Sequence, residues 1–153
     1  MGAEARLESL GIVVPEVVPP LAAYIPAVRT ANLVYTAGQL PARDGEMIAV
    51  GKIGGAVTEE QGYECARQCA LNALAAIRTE IGSLDNITRI VKAVVFVAST
   101  PDFTGQPQVA NGASDFLGEV FGDLGRHARS AVGVSVLPLD VPVEVELIVE
   151  VAG

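Results

Sequence analysis

The end of the chain, residues 129–151, has the pattern that most limits the possible folds. Along residues 143–151 every odd position is valine or leucine, and glutamate stands at positions 144, 146 and 150. Because successive side chains of a β-strand point to opposite faces, this pattern predicts a strand with one buried face. Three carboxylates on the other face of so apolar a strand either meet solvent or line a site. An earlier strand opens at Arg129, and a turn at residues 138–142 makes the two strands run in opposite directions.

Composition indicates a single domain with an aliphatic core. The chain has 153 residues, of which 50% are hydrophobic and only 5% aromatic, with no tryptophan. A chain of this length can bury a sizeable core, which here must consist of valine, isoleucine, leucine and alanine. Ten basic and 18 acidic residues give a net charge of −8. This charge argues against a nucleic-acid partner, because nucleic-acid binding depends on cations that neutralise phosphates.

The sequence also bears on location and redox chemistry. Residues 1–11 lack the apolar segment of a secretion signal, and the longest uniformly apolar run, residues 93–98, is too short to span a membrane. We therefore expect a soluble cytoplasmic protein without a membrane partner. Cys65 and Cys69 are one helical turn apart, a poor spacing for a disulfide, and with one histidine they cannot complete a zinc site. We predict two small core side chains and no metal.

The periodicity predicts an α+β domain with helices on one face of a sheet. Residues 1–22 are predicted to be an extended N-terminal arm, because their prolines remove the donors that a central strand needs. The predicted strands are residues 32–38, a short return strand at 47–50 after a turn at 43–46, residues 86–98, and the two at the C-terminus. The glycines of residues 51–55 are predicted to form a flexible loop, since the serine or threonine of a phosphate-binding loop does not follow Lys52.

Two helices are predicted between these strands. Thr58 and Gln61 have the spacing of a capping box, and the helix they begin ends at Gly82. Asp102 is the predicted cap of a second helix, which ends near Gly122. If both helices cover one face of the sheet, the other face is apolar and bare, which predicts oligomerisation.

Three side chains near the C-terminal strands are candidates for chemistry, and each has a simpler explanation. Arg129 is either a surface cation at a strand end or the bidentate partner of a substrate carboxylate, for which its small neighbours leave room. Glu144 is either a solvated side chain or a general acid/base. His127, the only histidine, is either a solvated loop residue or part of the rim of a site opened by Arg129.

Four segments, in this order, resemble the reactive-intermediate deaminase family, also called RidA, YjgF or L-PSP. They are YIP at residues 24–26, YTAGQLP at 35–41, VVFV at 94–97, and RSAV followed by LP and VEVE within 129–146. The resemblance covers residues 23–153, which would form a single RidA-like domain after the arm. It implies a chorismate-mutase-like fold, a mixed β-sheet with two helices packed on one face. It also implies a homotrimer with ligand clefts between subunits.

The implied activity is hydrolysis of small enamine or imine carboxylates, such as 2-aminoacrylate, to 2-keto acids and ammonia, with no metal or organic cofactor. By position, Arg129 would hold the substrate carboxylate, Glu144 would order or activate the attacking water, and Tyr24 would close the cleft. The backbone of Gly38 would contact the ligand, and Asn111 would match the helix asparagine of the family.

The expected ligand-binding set also includes Ala131 and His127, where the chain departs from the family. Cysteine is frequent at the position of Ala131, serine is frequent at the position of Ala37, and the approach to Arg129 through His127 is unusual. These departures leave a non-catalytic trimer that binds small carboxylates as the alternative. A ribonuclease is opposed by the net charge of −8. A chorismate mutase would need more cations than Arg126 and Arg129 provide.

The spacing of the two principal candidates suggests how a site would be assembled. About six residues, at roughly 3.3 Å each, separate Arg129 from Glu144 along the strand axis, which amounts to about 20 Å. A three-carbon substrate cannot bridge that distance. We therefore expect the Arg129 and the Glu144 of one site to come from different subunits.

Overall fold

The computed structural model describes residues 1–20 and 22–153, and its centre is a five-stranded mixed sheet. In chain order the elements are α1 (Ala3–Ser9), β1 (Ala27–Thr30), β2 (Leu33–Thr36), β3 (Ala42–Arg43), β4 (Glu46–Met47), α2 (Glu59–Ile81), β5 (Ile87–Ala98), α3 (Gln106–Phe121), β6 (Ala128–Val134) and β7 (Val143–Val151). The strand order of the sheet is β1-β2-β7-β5-β6, and β3 and β4 form a separate hairpin. The mixed α+β architecture expected from the sequence is confirmed.

Strand β5 lies between the two C-terminal strands. It pairs in parallel with β6 and antiparallel with β7, so β6 and β7 run in opposite directions as expected but are not neighbours. Every odd-numbered residue of β7 is buried, which confirms the alternation read from the sequence. Strand β6 is the edge of the sheet, and this position leaves its residues accessible from one side.

Helices α2 and α3 pack against each other and cover one face of the sheet. The capping box of α2 is present: the hydroxyl of Thr58 accepts from the Gln61 backbone N–H, and the Gln61 side chain accepts from the Thr58 backbone N–H. The helix ends at Gly82, whose φ of 81° suits glycine. The two helices approach so closely that a Cβ at Gly112 would collide with the backbone carbonyl of Tyr63. None of the helices in the described residues is both long and apolar enough to cross a membrane.

The opposite face of the sheet carries apolar side chains that remain half-buried or exposed. Paired residues of neighbouring strands share a face, and the pairing places there Val28, Tyr35, Val94, Phe96, Val132 and Ile148. We call this set the bare face. It is the uncovered face that the sequence pattern predicted.

The prediction that residues 1–22 are extended is wrong for the first of them. Residues 3–9 form α1, and Leu7 is only 2% exposed. The carboxylates of Glu4 and Asp85 accept backbone N–H groups across the junction with the turn before β5. This stretch contains good helix formers, and the valine–proline pattern that motivated the prediction begins only after it. Residue 21 of the predicted arm lies outside the described residues, and the domain boundary at residue 22 stays a prediction.

The predicted cap of the second helix is also wrong. Helix α3 begins at Gln106 with Gly105 as its N-cap, and the carboxylate of Asp102 instead accepts a hydrogen bond from the Thr100 hydroxyl at 2.7 Å. The sequence signal is ambiguous because aspartate caps helices and stabilises turns by the same short side chain. The strand predicted at residues 47–50 is shorter and lies at Glu46–Met47.

Candidate functional site

Arg129 is the second residue of β6, and its side chain points towards helix α3. Its partner on β5 is the fully buried Ala93, so both lie on the helix-covered face of the sheet. The Nη1 atom of Arg129 donates to Oδ1 of Asn111 at 2.8 Å and to Oγ of Ser114 at 3.1 Å. Asn111 and Ser114 are one helical turn apart and therefore present both acceptors to the same guanidinium. The helix asparagine expected near Arg129 is thus beside it.

His127 is held at both ring nitrogens. Its Nδ1 lies 2.6 Å from the carbonyl oxygen of Gly125, and its Nε2 lies 2.9 Å from Oγ of Ser114. Since a carbonyl oxygen can only accept, the hydrogen bond assigns the proton to Nδ1. The interpretation of His127 as a solvated loop residue is therefore wrong. Ser114 joins His127 to Arg129. No sequence motif marks this serine, and only helical periodicity from Asn111 could have pointed to it.

These residues surround an open cavity of about 360 Å³, which we call the arginine recess. It is lined by Ser114, Gly118, Gly122, Gly125, Arg126, His127 and Arg129. Two of the glycines, Gly118 and Gly122, have no atom within 4 Å of the position where a Cβ would lie, so the recess stays open. Its lining contains two arginines and no carboxylate, which makes it a cationic spot on a chain of net charge −8.

Glu144 occupies a different environment, near the start of β7. Its partner on β5 is Phe96, so its side chain lies on the bare-face side of the sheet. The carboxyl group is half-buried, and burial, with a smaller contribution from the negative charge of Glu146, raises its pKa above the ordinary value. A Cβ at Gly38 would collide with the carboxylate of Glu144, so a larger residue there would displace this side chain from its position. Gln39 exchanges two backbone hydrogen bonds with Val145, which fix this loop over β7.

A second cavity of about 360 Å³ opens at this carboxylate, and we call it the glutamate pocket. It is lined by Val18, Pro19, Pro20, Tyr24, Pro26, Ala37, Gly38, Gln39, Leu40, Met47, Pro138 and Glu144. Tyr24, which is 47% exposed, and Gly38 both line this pocket, and their contact with a ligand stays a prediction. The residues of the N-terminal segment and Met47 were missed, because apolar residues in loops carry no motif.

Within one chain the candidate residues therefore form two groups. Along β5, the partners of Arg129 and Glu144 are three residues apart, which is about 10 Å, and the two strands lie on opposite sides of β5. The estimate of about 20 Å is wrong, because it treated β6 and β7 as neighbours. The two side chains nevertheless lie on opposite faces and line different cavities. Ala131 is half-buried against the core and lines neither of them.

The two cysteines belong to the core, as the sequence predicted. Burial raises the pKa of the Cys65 thiol to about 12 and that of Cys69 well above its usual range. Both thiols are therefore neutral and poor nucleophiles at physiological pH. Among residues 1–20 and 22–153, no three His, Cys, Asp or Glu side chains are grouped so that they could hold a metal ion.

Comparisons with known proteins give a consistent result. The family described as "YjgF/chorismate_mutase-like, putative endoribonuclease" matches residues 4–151. Protein TCP17 of Trypanosoma cruzi is 43% identical over 95% of this chain and 92% of that protein. The crystal structure of Atu1372 from Agrobacterium tumefaciens, a protein of unknown function, superposes with a TM-score of 0.91 at 40% identity over 98% of this chain and 92% of that one. The structure of E. coli TdcF with bound serine has a TM-score of 0.62 at 26% identity, over 91% and 94% of the two chains.

Proposed function

The chain belongs to the YjgF/chorismate mutase-like family, and from that premise we propose that it hydrolyses small 2-imino or enamine carboxylates, such as 2-aminoacrylate. The products are a 2-keto acid and ammonia. The observation that carries this proposal is the guanidinium of Arg129 in the arginine recess, held at Nη1 by Asn111 and Ser114. A planar guanidinium in a recess without carboxylates is suited to binding a substrate carboxylate through two parallel hydrogen bonds.

The glutamate pocket supplies the second requirement of the reaction. With a raised pKa, the carboxyl group of Glu144 accepts a proton more readily than an ordinary glutamate, which suits a general base for water. The water oxygen bonds to C2 of the protonated imine, the C=N electron pair moves to nitrogen, and Glu144 takes a proton from the water. The same proton then goes to the nitrogen of the carbinolamine. As the C–N bond breaks, the hydroxyl group gives its proton back to Glu144, and ammonia leaves as the keto group forms. Glu144 then passes this proton to the ammonia, which leaves the site as ammonium. An enamine first becomes the imine by protonation at C3.

The two cavities would form one site only in an assembly. We propose a homotrimer in which the Arg129 recess of one subunit meets the Glu144 pocket of the next. Two features support it: β6, which carries Arg129, is an edge strand, and the bare face has apolar side chains beside Glu144. Tyr24, at the wall of the glutamate pocket, would then close the cleft over the ligand.

A trimer that binds small carboxylates without turnover is the second candidate. Ala37 in the lining of the glutamate pocket brings no polar side chain to the reacting atoms, where serine is frequent in the family. TdcF was solved with serine bound, and we extend amino-acid or keto-acid binding to this chain as part of the proposal. RNA is a weaker candidate, since the arginine recess is small and the net charge is −8.

The decisive experiment measures keto-acid release from freshly generated 2-aminoacrylate. We expect acceleration by the wild type and a loss of about a hundredfold or more in kcat/KM for Arg129→Ala, because a desolvated carboxylate loses its ionic partner. Arg89→Ala is the control, since it removes an exposed arginine from the same sheet with the same change in net charge.

Equal activity of Arg129→Ala and Arg89→Ala would contradict the proposed role of Arg129. No acceleration by the wild type, together with Arg129-dependent binding of 2-oxobutanoate, would favour the binding-only trimer.

A further inference from the structure

A continuous chain of hydrogen bonds runs from the backbone to the guanidinium of Arg129. The carbonyl oxygen of Gly125 accepts from Nδ1–H of His127, and the lone pair of Nε2 is then left to accept from the hydroxyl of Ser114. With its proton committed to His127, Ser114 has lone pairs left and accepts from Nη1–H of Arg129. In this neutral tautomer of His127, each donor has one acceptor, and the carbonyl at the end of the chain sets the direction of every bond.

The same hydrogen bonds determine which edge of the Arg129 guanidinium is available to a ligand. A guanidinium has five N–H donors, and the two on Nη1 of Arg129 are taken by Asn111 and Ser114. No hydrogen bond among the described residues uses its Nε or Nη2 atoms. A carboxylate that binds through two parallel hydrogen bonds must therefore approach the edge formed by Nε and Nη2, because the end formed by Nη1 and Nη2 has lost one donor.

We propose that Ser114 and His127 are positioning residues, which hold the guanidinium of Arg129 so that its Nε–Nη2 edge is presented to the carboxylate of the ligand. This inference rests on the proposed role of Arg129. It adds that the rotamer of Arg129 is set by a serine and a histidine that need not touch the ligand's reacting carbon. Asn111 supplies the other fixed acceptor. Without Ser114 or His127, the guanidinium of Arg129 is therefore less restricted but keeps its hydrogen bond to Asn111.

A nucleophilic serine is the other role that a close serine–histidine pair can have. Two features of this pair oppose that role. The oxygen of Ser114 already accepts a hydrogen bond from a guanidinium, which lowers its electron density. The group that orients His127 is a neutral carbonyl, which stabilises an imidazolium less than the carboxylate of a catalytic triad does.

The test uses four variants of the full chain. For each we measure the binding of 2-oxobutanoate by titration calorimetry, and KM and kcat for imine hydrolysis. Ser114→Ala removes the middle of the hydrogen-bond chain. His127→Asn keeps a donor near the position of Nδ1 but cannot reach Ser114, whereas His127→Gln places an amide oxygen near the position of Nε2. His127→Gln is therefore the rescue variant, and Arg129→Ala is the reference for complete loss. Thermal unfolding of each variant verifies that it is folded.

We expect Ser114→Ala and His127→Asn to weaken 2-oxobutanoate binding about three- to tenfold, the worth of one hydrogen bond. KM should rise by a similar factor while kcat changes little, because the anchor acts alike in the ground state and the transition state. His127→Gln should restore binding to within about twofold. Wild-type affinity in Ser114→Ala and His127→Asn would overturn the positioning role, provided that Arg129→Ala binds weakly.

Two further outcomes are distinct from these. If Arg129→Ala binds 2-oxobutanoate as well as the wild type does, the proposed function fails at its anchor, and the positioning role fails with it. If a fluorophosphonate reagent labels Ser114 in the wild type but not in His127→Asn, Ser114 is a nucleophile. The positioning role of Ser114 and His127 is then overturned, while the proposed role of Arg129 in carboxylate binding is unaffected.

Discussion

At the scale of single residues, the chemistry depends on side chains whose surroundings differ from what their sequence neighbours suggest. Glu144 is one of three glutamates on the same strand face, and burial raises its pKa. The cause is local, because the loop at Gly38 closes over its carboxylate and the pocket beside it is largely apolar. Alternation along β7 identified the face that Glu144 lies on, but the loop that buries it comes from residues more than a hundred positions earlier.

The raised pKa of Glu144 gives a prediction about stability. The folded state holds this proton more tightly than the unfolded chain does, so the ionised carboxylate costs stability once the pH exceeds the ordinary value of 4.5. Glu144→Gln should therefore have a higher Tm than the wild type near neutral pH. Well below pH 4.5 the difference should vanish, because Glu144 is then neutral in the folded and the unfolded state.

Thermal unfolding followed across this pH range by circular dichroism checks the prediction. Glu46→Gln, which changes an exposed glutamate of β4, is the control and should follow the wild type. A Tm for Glu144→Gln that lies below that of the wild type at neutral pH would show that ionised Glu144 stabilises the fold.

At the scale of elements, the strongest sequence signals were local, and the structure confirms them. The capping box of α2, its glycine stop and the alternation of β7 each follow from a few consecutive residues. The predicted start of α3 was wrong, because the carboxylate of Asp102 accepts a hydrogen bond within a turn and does not cap the helix. Helix α1 was missed because the prolines of the following segment dominated the interpretation of the N-terminus. Which helices touch, and where, could not be predicted, because contact depends on the absence of side chains at particular positions.

The contact between α2 and α3 predicts opposite effects for two glycines of the same helix. Gly112→Ala should destabilise the protein by about 1–3 kcal/mol, because its Cβ would collide with the backbone carbonyl of Tyr63. Gly118→Ala should stabilise it by about 0.5–1 kcal/mol, since nothing lies within 4 Å of the added Cβ and alanine favours the helix. Urea unfolding measures both free energies. Equal effects of the two substitutions would contradict the close approach of the helices.

At the scale of the whole molecule, the main consequence of the topology is that a single chain separates its two candidate sites. Strand β5 lies between β6 and β7, and the pairing of Arg129 with Ala93 and of Glu144 with Phe96 places the two side chains on opposite faces of the sheet. The bare face is continuous with Glu144 through the residues that flank it on β5 and β7. An assembly that covers this face would both remove apolar surface from water and bring the two groups of residues together.

The proposed trimer is tested on the bare face. Val132 is 42% exposed in the single chain, so Val132→Asp should leave the subunit folded. A buried, unpaired carboxylate at the interface should weaken assembly about a hundredfold or more. Sedimentation velocity should then show a trimer for the wild type and for the control Val50→Asp, which changes an exposed valine in a loop. It should show smaller species for Val132→Asp, and a monomeric wild type would refute the assembly.

The sequence by itself determined the local and repetitive features of this protein. Alternation fixed the faces of β7, helical periodicity and capping fixed α2, and matching motifs pointed to Arg129, Glu144, Tyr24, Gly38 and Asn111 as candidates. Only the tertiary structure decided that β5 separates β6 from β7, that Ser114 and His127 hold Arg129, and that Gly38 makes room for Glu144. The physical reason is that periodicity reports which side of an element is buried, whereas strand order and side-chain partners depend on packing between residues that are distant in the chain.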